Sequence, residues 1–316
     1  MFNYNRGIQL TGSDLWLDAE LKKDFSFVSH GHADHVRPHN KILATPITSK
    51  FHAMRVKLKE AVLLDFNEAY EYDGLSIQLF PAGHILGSAM IRVENHNSSL
   101  LYTGDFKMQK SETAEPLEIP HADYLIMEST FGDPEYVFEK DRDNVIGELI
   151  TSVTKSLERG ASTVVLAYGL GKAQEAMKIL GDNNFKVKVH QRAWEFARVY
   201  EEHGVEFKNC SQWNGEYPGT HVLIIPPHLS KSRYVLSLPR LHSILLSGWA
   251  KTNNGIKNRY NANQSISFSD HADFDELLEF VKIVNPKKVF TTHGFDSFPM
   301  YLNRMGYDAD ELRSAV

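Results

Sequence analysis

The sequence predicts an α/β protein in which a β-rich domain is interrupted by a smaller α/β domain. The first part of the chain consists mainly of short apolar or alternating runs separated by Gly, Asn or Asp, which is typical of strands. From residue 139 onward, helical spacing alternates with apolar runs, and near residue 264 a strand, helix and strand pattern returns. These changes predict three segments: 1–134 and 264–316 for the β-rich domain, and 135–263 for the insertion.

The strands of the β-rich block are predicted from runs that end in polar clusters. The runs are LWLDAEL, DFSFVSH, KILATP, AVLLDF, LSIQLFPAG, SAMIRVEN, SSLLYTGD and YLIMEST. After residue 264, a helix within DFDELLEFVKIV, a final strand in KKVFTTHG and a short helix over 298–305 are predicted.

The insertion begins with a helix over 139–160, where apolar residues recur at helical spacing and Gly160 is the expected stop. STVVLAYG then precedes a helix from about Lys172, and FKVKVH precedes a helix in AWEFARVYEEHG. HVLIIPP precedes a shorter helix near KSRYVLSLP, and HSILLSGW follows. This βαβ rhythm predicts a small parallel sheet flanked by helices.

The amino-acid composition is that of a globular protein without disulfides or membrane spans. Hydrophobic residues make up 42% and charged residues 23% of the 316, as in an ordinary globular protein. Cys210 is the only cysteine, which excludes an intramolecular disulfide and a cysteine-based zinc site and fits a reducing compartment. The N-terminal residues lack a secretory h-region, and no apolar run approaches the roughly 18–20 residues that cross a bilayer. We therefore predict a cytoplasmic protein without a membrane partner.

The charge of −6 argues against non-specific coating of nucleic acid. It leaves a nucleic-acid enzyme open, because bound cations and local basic segments can offset an acidic average.

The stretch FVSHGHADHVRP carries the strongest functional signal. It places His30, His32, Asp34 and His35 within six residues directly after an apolar strand. Histidine and aspartate are costly to bury unless they are paired or bind a metal. Imidazole nitrogens and carboxylate oxygens are common ligands of zinc and similar divalent ions. The stretch therefore predicts part of a metal centre.

Further ligands stand at other strand ends, each beside a glycine. They are His84 in FPAGHILGS, Asp105 in LLYTGDF and His293 in KKVFTTHGF. The ligands divide into one set for each of two metals. The first set is His30, His32, His84 and Asp105; the second is Asp34, His35, Asp105 and His293.

In this arrangement Asp105 bridges the two metals. Two ions roughly 3.5–4 Å apart can hold a bridging hydroxide and clamp the oxygens of an in-line displacement at phosphorus. Asp34 is then predicted to be both a metal ligand and a catalytic residue. Zinc is the favoured metal, with manganese and iron as alternatives, since both accept mixed His and Asp ligands.

These residues resemble a known superfamily. HGHADH is similar to the H-x-H-x-D-H signature of the metallo-β-lactamase superfamily, and DLWLDAE is similar to its first motif, with Asp18 as a supporting carboxylate. The resemblance implies an αββα sandwich with the metals at one edge of the sheets. The long α/β segment between Asp105 and His293 resembles the β-CASP branch, whose members cut DNA or RNA.

Three further motifs support that branch. MESTFGD resembles motif A through Glu128, SFSDHADF motif B through His271, and TTHGF motif C through His293. SGWA, SDHADFDELLEF and the C-terminal THGF…YLNRMGYDADEL are similar to the bacterial ligase-associated DNA exonuclease family. That resemblance implies a DNA exonuclease of DNA repair, with DNA favoured over RNA, associated with an ATP-dependent DNA ligase and a helicase.

Glu128 and His271 are not needed to complete either metal set. Cleavage of a phosphodiester requires a proton for the departing oxygen, and a histidine held by a carboxylate suits that task near neutral pH. We predict that His271 is a general acid or phosphate-binding group oriented by Glu128. The alternative is that Glu128 supports a ligand histidine.

Weaker signals indicate contacts around the site. Asp273 in DHAD is a second supporting carboxylate. AYGLGKAQE is not a Walker A loop, but Gly171 and Lys172 open a predicted helix and could contact a substrate phosphate. Trp249 could stack on a base, or could be a buried aromatic residue.

Three other functions compete with a DNA exonuclease. An RNA 3′-end endonuclease or exonuclease would use the same chemistry. A small-molecule metallohydrolase acting on thioesters or lactams is disfavoured by the long insertion and by motifs A and B. A non-catalytic scaffold predicts missing ligands, whereas all seven are present.

Overall fold

The computed structural model describes residues 1–5, 7–216, 219–252 and 254–313. Its internal contacts divide the chain into two units. The first unit comprises Met1–Lys110, Ala114–Val137 and His271–Val316; the second comprises Ser111–Thr113 and Phe138–Asp270.

The first unit contains two sheets. Its first sheet has the strand order β1-β2-β3-β4-β5-β6, antiparallel as far as β3 and parallel from β3 onward. These strands are β1 (Phe2–Tyr4), β2 (Ile8–Leu10), β3 (Leu15–Leu17), β4 (Phe25–Phe27), β5 (Lys41–Ala44) and β6 (Glu60–Leu63).

The second sheet has the order β19-β18-β11-β10-β9-β8-β7. Its strands are β7 (Ala69–Tyr72), β8 (Leu75–Pro81), β9 (Ala89–Glu94), β10 (Ser99–Tyr102), β11 (Tyr124–Glu128), β18 (Lys288–Thr292) and β19 (Ala309–Glu311). β10, β11 and β18 are mutually parallel, and β8 shares their direction because β9 is antiparallel to both β8 and β10. The carboxyl ends of these four strands therefore lie at one edge of the sheet.

The two sheets pack face to face around an apolar core. Alternation along β10 shows the layering: Leu100 and Tyr102 join the core between the sheets, whereas Leu101 joins the cluster on the opposite face. Helices α7 (Phe274–Val284) and α8 (Phe298–Arg304) supply that second cluster with Leu277 and Leu302, among others. Helix α1 (Pro46–Ala53) contacts the first sheet, so the first unit is the predicted αββα sandwich.

Helix α1 was not among the sequence predictions. Its N-cap is Thr45, whose hydroxyl accepts the Thr48 N–H at 3.1 Å, and Pro46 occupies the first helical position. The helix is only eight residues long, and its apolar residues recur too weakly at helical spacing to reveal it. The N-cap and the proline were the signals in the sequence that could have predicted it.

The second unit is a parallel sheet with flanking helices, as predicted. Its strand order is β14-β13-β15-β12-β16-β17, and every pairing is parallel. The strands are β12 (Ser162–Leu166), β13 (Val187–Val189), β14 (Cys210–Gln212), β15 (Val222–Ile225), β16 (Leu241–Leu246) and β17 (Gln264–Ile266). The helices are α2 (Arg142–Glu158), α3 (Lys172–Asp182), α4 (Gln191–Glu202), α5 (Arg233–Ser237) and α6 (Asn254–Arg259). Two 3₁₀ turns span Pro227–Leu229 and Gly248–Ala250.

Within the described residues, no helix has both the length and the apolar character needed to span a membrane.

Candidate metal centre and its proton-donor pair

The predicted ligands of the first unit gather where its strands end. His84 follows β8, Asp105 follows β10, and His293 follows β18 directly. The histidine-rich stretch, residues 30 to 35, follows β4 of the facing sheet. Because these strands end at one edge, residues far apart in sequence lie side by side.

Close backbone contact brings Asp105 to the histidines. Gly104 has φ +54, and a Cβ on it would lie 2.6 Å from both Cβ and Oγ of Ser29. Only glycine permits that approach in that conformation. The glycine before Asp105 therefore sets how near β10 comes to the loop that carries His30.

The first ligand set is compact, with His30, His84 and Asp105 buried and His32 half-buried. His32 Nδ1 lies 3.1 Å from His30 Nε2 and 3.0 Å from His84 Nε2. The Asp105 carboxylate oxygen Oδ2 lies 3.5 Å from His30 Nε2 and 3.8 Å from His84 Nε2. One ligand atom from each of the four residues falls within 4.8 Å of all the others.

These distances fit a tetrahedral cation. Ligands at about 2.0–2.1 Å from a zinc ion stand about 3.3–3.4 Å from one another, and the four measured separations straddle that value. Burial, followed by the neighbouring histidines, lowers the pKa of His30 well below its usual range, so its imidazole is neutral and able to bind a metal. The donor set therefore suits zinc on geometry and on protonation.

The second set is more open. His35 Nε2 lies 3.6 Å from the same Asp105 oxygen, and the rings of His35 and His293 have centroids 5.7 Å apart. Asp34 and His293 are exposed. Partial loss of hydration raises the pKa of the Asp34 carboxyl, but the charges of His35 and His32 outweigh that effect and His293 adds to theirs, so that pKa falls below its usual range. The carboxylate of Asp34 thus lies within the electrostatic reach of these imidazoles.

His35 is held by Asp18. Its Nδ1 lies 2.8 Å from Asp18 Oδ2, which directs Nε2 toward Asp105. Burial lowers the pKa of His35, yet Asp105 and then Asp18 raise it to about 10 on balance. A cation bound at Nε2 would therefore displace a proton.

Burial raises the pKa of Asp105, and the nearby Glu128 adds to the rise against the opposing effect of His35. Cations near Asp105 would oppose that rise and favour its ionised form.

Glu128 and His271 form a pair beside Asp105. Glu128 Oε1 and Oε2 lie 2.9 and 3.1 Å from His271 Nδ1, and Oε1 also accepts the Phe106 N–H at 2.9 Å. Burial raises the pKa of Glu128, but the charge and hydrogen bond of His271 lower it on balance. The carboxylate of Glu128 thus holds His271 through Nδ1.

The remaining predicted residues are described by their local contacts. Asp273 is the N-cap of α7: its carboxylate accepts the Glu276 N–H at 2.9 Å, and its own N–H donates to Glu276. This capping box begins the helix that follows His271. In the second unit, Gly171 is the N-cap of α3, and Lys172 is a buried ion-pair partner of Asp270. Trp249 is exposed, so the alternative that it is a buried aromatic residue was wrong.

Sequence reasoning missed Ser29 and Tyr102, which both contact Asp18 and are both 1% exposed. Their positions carried a signal: Ser29 directly precedes the histidine-rich stretch, and Tyr102 ends β10 three residues before Asp105.

Comparisons with known proteins agree with this centre. Residues 257–298, which include His271 and His293, match the family described as the Zn-dependent metallo-hydrolase RNA specificity domain. A protein of Opitutus terrae named "Probable DNA ligase" is 36% identical over 97% of this chain. "RNase aCSPSF2" of Saccharolobus solfataricus is 24% identical over 80%, and "Cleavage and polyadenylation specificity factor 73" of Drosophila melanogaster 24% over 76%.

The chain spans 30% of the length of the Opitutus protein, 59% of the Saccharolobus protein and 43% of the Drosophila protein. The match to this group of proteins, together with the αββα sandwich, the parallel second unit and the metal-ligand geometry, leads to one conclusion. The chain belongs to the β-CASP branch of the metallo-β-lactamase superfamily.

Proposed function

We propose that the protein is a metal-dependent nuclease that hydrolyses phosphodiester bonds, most favourably as a DNA exonuclease of DNA repair. The observation that supports it best is the convergence of His30, His84 and Asp105 on His32 at ligand spacing, beside the Glu128–His271 pair. We assign the first ligand set to one cation and the second set to another, with Asp105 shared. When bound, divalent cations supply Lewis acidity that activates water and neutralises phosphate charge.

The protein's own residues perform the remaining steps. Glu128 holds the Nδ1–H of His271 and favours the charged imidazolium, whose Nε2–H is the proton that we assign to the departing oxygen. The seven ligands would hold the cations at the strand edge, where the cations would neutralise the charge of the scissile phosphate. In the second unit, Gly171, Lys172 and Trp249 are proposed contacts to the substrate.

DNA is favoured because the relative with 36% identity is named a probable DNA ligase. Its name also supports association of this chain with an ATP-dependent DNA ligase, and a helicase partner follows only from the family resemblance. RNA processing is the second candidate function. The RNase name of the Saccharolobus relative and the RNA specificity domain match favour it.

The test incubates zinc- or manganese-loaded protein with end-labelled DNA and RNA of one sequence, each single- and double-stranded. We expect release of nucleotides from DNA ends, with a ladder that reveals direction. Cleavage confined to RNA would overturn the DNA assignment. Hydrolysis of thioesters without any cleavage of nucleic acid or p-nitrophenyl phosphodiesters would overturn the nuclease assignment.

Asp105→Asn, which removes the shared carboxylate charge, should abolish cleavage. His96→Ala is its matched control, because His96 is an exposed histidine of the first unit outside the ligand sets.

A further inference from the structure

We infer that Ser29 and Tyr102 are positioning residues that link the two ligand sets through one buried carboxylate, Asp18. This inference rests on the proposed function, since it concerns the same metal centre. The Asp18 side chain is 3% exposed and collects donors from several elements. Its Oδ1 accepts the Ser29 N–H at 2.8 Å, and its Oδ2 faces the Ser29 hydroxyl at 2.5 Å, His35 Nδ1 at 2.8 Å and the Tyr102 hydroxyl at 3.0 Å.

These contacts favour the ionised form of Asp18. Its Oδ1 lies within hydrogen-bond distance of one donor and its Oδ2 of three, and hydrogen bonds to a carboxylate stabilise its charge. The hydroxyl proton of Ser29 is therefore directed to Asp18. Ser29 Oγ also lies 2.9 Å from His30 Nδ1, and with its own proton committed it must accept the Nδ1–H of that imidazole.

The consequence is a fixed tautomer for one histidine in each ligand set. His30 carries its proton on Nδ1 through Ser29, and His35 carries one on Nδ1 through Asp18. Both rings then direct Nε2 toward the same oxygen of Asp105, at 3.5 and 3.6 Å. One carboxylate thus aligns a ligand of each set, and loss of the Ser29 hydroxyl should weaken both.

Tyr102 fixes the carboxylate from the other sheet. It ends β10, whereas Asp18 follows β3 and adopts φ 40, an uncommon conformation for a residue other than glycine. The Tyr102 hydroxyl therefore ties the β3 loop to the strand that leads to Asp105. Its loss should relax the position of Asp18 and, through it, of His35.

The experiment measures zinc affinity and stoichiometry of the full chain by competition with a chromogenic chelator, for the wild type, Ser29→Ala and Tyr102→Phe. Loss of such supporting contacts costs about 10- to 100-fold in metal affinity, and we expect Ser29→Ala to do so for both equivalents of zinc. Tyr102→Phe should weaken mainly one equivalent. Matched controls are Ser13→Ala and Tyr72→Phe, which remove hydroxyl–carboxylate bonds to Asp73 and Asp14 outside the ligand sets.

Histidine-selective ¹⁵N NMR of the metal-free protein supplies a second readout, which a merely structural role would not move. The wild type and Tyr102→Phe should show Nδ1–H for His30, and Ser29→Ala should lose that preference. We expect Ser29→Ala to lose tenfold or more in zinc affinity. The inference is overturned if that variant binds both equivalents of zinc with an affinity within about twofold of the wild type and keeps the Nδ1–H signal of His30. A wild type that shows the Nδ1–H signals yet binds no zinc would overturn the proposed function instead.

Discussion

Gly294 packs directly against the backbone of Ser129: a Cβ atom on Gly294 would lie 1.7 Å from the Ser129 carbonyl oxygen. The Ser129 N–H donates to the Thr292 carbonyl at 2.8 Å, and the Thr130 hydroxyl donates to the His293 carbonyl at 3.1 Å. His293 itself has φ 51. The end of β18 is thus fastened to the end of β11, and that attachment sets the position of His293.

Replacement of Gly294 by alanine should therefore separate the two strand ends. We expect a loss of about 1–3 kcal/mol in the free energy of unfolding, because two backbones rather than a flexible side chain would have to move. Binding of one of the two zinc equivalents should weaken as His293 shifts. Urea denaturation and zinc titration measure the two effects.

Gly147→Ala is the control for that change. Gly147 lies within α2, and nothing stands within 4 Å of its Cβ position. Alanine there should stabilise the protein by up to about 1 kcal/mol. If Gly294→Ala were as stable as the wild type, the tight contact with Ser129 would not exist in solution.

His271→Ala should lower turnover while leaving the bound metal near its wild-type content. General acid catalysis typically contributes about 10²- to 10⁴-fold, which is the loss we expect in kcat. Nuclease assays and elemental analysis of the same preparation test the two statements, with His96→Ala as control. Loss of metal in His271→Ala would instead make His271 a ligand and Glu128 its support.

Glu128→Gln tests whether the pair acts as a unit. The amide keeps the shape of Glu128 but removes the charge that faces His271 Nδ1 at 2.9 Å. We expect Glu128→Gln to lower kcat less than His271→Ala does. The double variant should have the kcat of His271→Ala alone, because the effects of groups that act together are not additive. Multiplied losses in the double variant would show that the two side chains act separately.

Much of this centre could be predicted from the order of residues along the chain. Asp105 and His293 were predicted as ligands because each follows an apolar run beside a glycine and could complete the set begun by the histidine-rich stretch. The parallel pairing of β10, β11 and β18 brings both residues to one edge of the sheet. The alternating apolar pattern similarly predicted the sheets. These features depend on local periodicity, which a single sequence carries.

Tertiary contacts explain what the sequence could not predict. Ser29 and Tyr102 carry no motif, and their importance arises only when β10 and the β4 loop meet at Asp18. Asp273 was predicted to support the metal centre, and in the structure its carboxylate caps α7, where aspartate is a common N-cap. A carboxylate beside a metal-binding motif can support a ligand or cap a helix, and the spacing of residues in the sequence does not distinguish these two roles.

Removal of metal should destabilise the protein. A ligand that binds only the folded state stabilises it by about 4 kcal/mol at a concentration 1,000 times its dissociation constant. We therefore expect zinc to raise the melting temperature and EDTA to lower it. Asp105→Asn should respond weakly to both, because Asp105 lies within 3.8 Å of ligand nitrogens in His30, His35 and His84. An unchanged melting temperature for the wild type after chelation would contradict the metal centre.

His39 and His52 are two fully buried histidines of the first unit outside the ligand sets. His39 Nδ1 accepts the Lys23 N–H at 3.0 Å, and His52 Nε2 donates to the Arg37 carbonyl at 2.9 Å. Burial and the neighbouring His52 lower the pKa of His39 to about 4, and burial also lowers the pKa of His52. Both therefore lie neutral in the folded protein, whereas histidines of the unfolded chain gain a proton near pH 6.5.

Stability should accordingly fall as the pH drops from about 6.5 to 4. In that window the unfolded state binds more protons than the folded state, so the stabilising contribution is complete above pH 6.5 and is lost toward pH 4. For His39 the loss amounts to about 3 kcal/mol, since one pKa unit corresponds to about 1.4 kcal/mol. Urea denaturation in EDTA, from pH 7 to 4, should show a shallower decline for His39→Gln, which keeps an acceptor for the Lys23 N–H without titrating. Parallel curves for that variant, the wild type and the exposed-site control His96→Gln would contradict this assignment, because they would place the acid sensitivity in other groups.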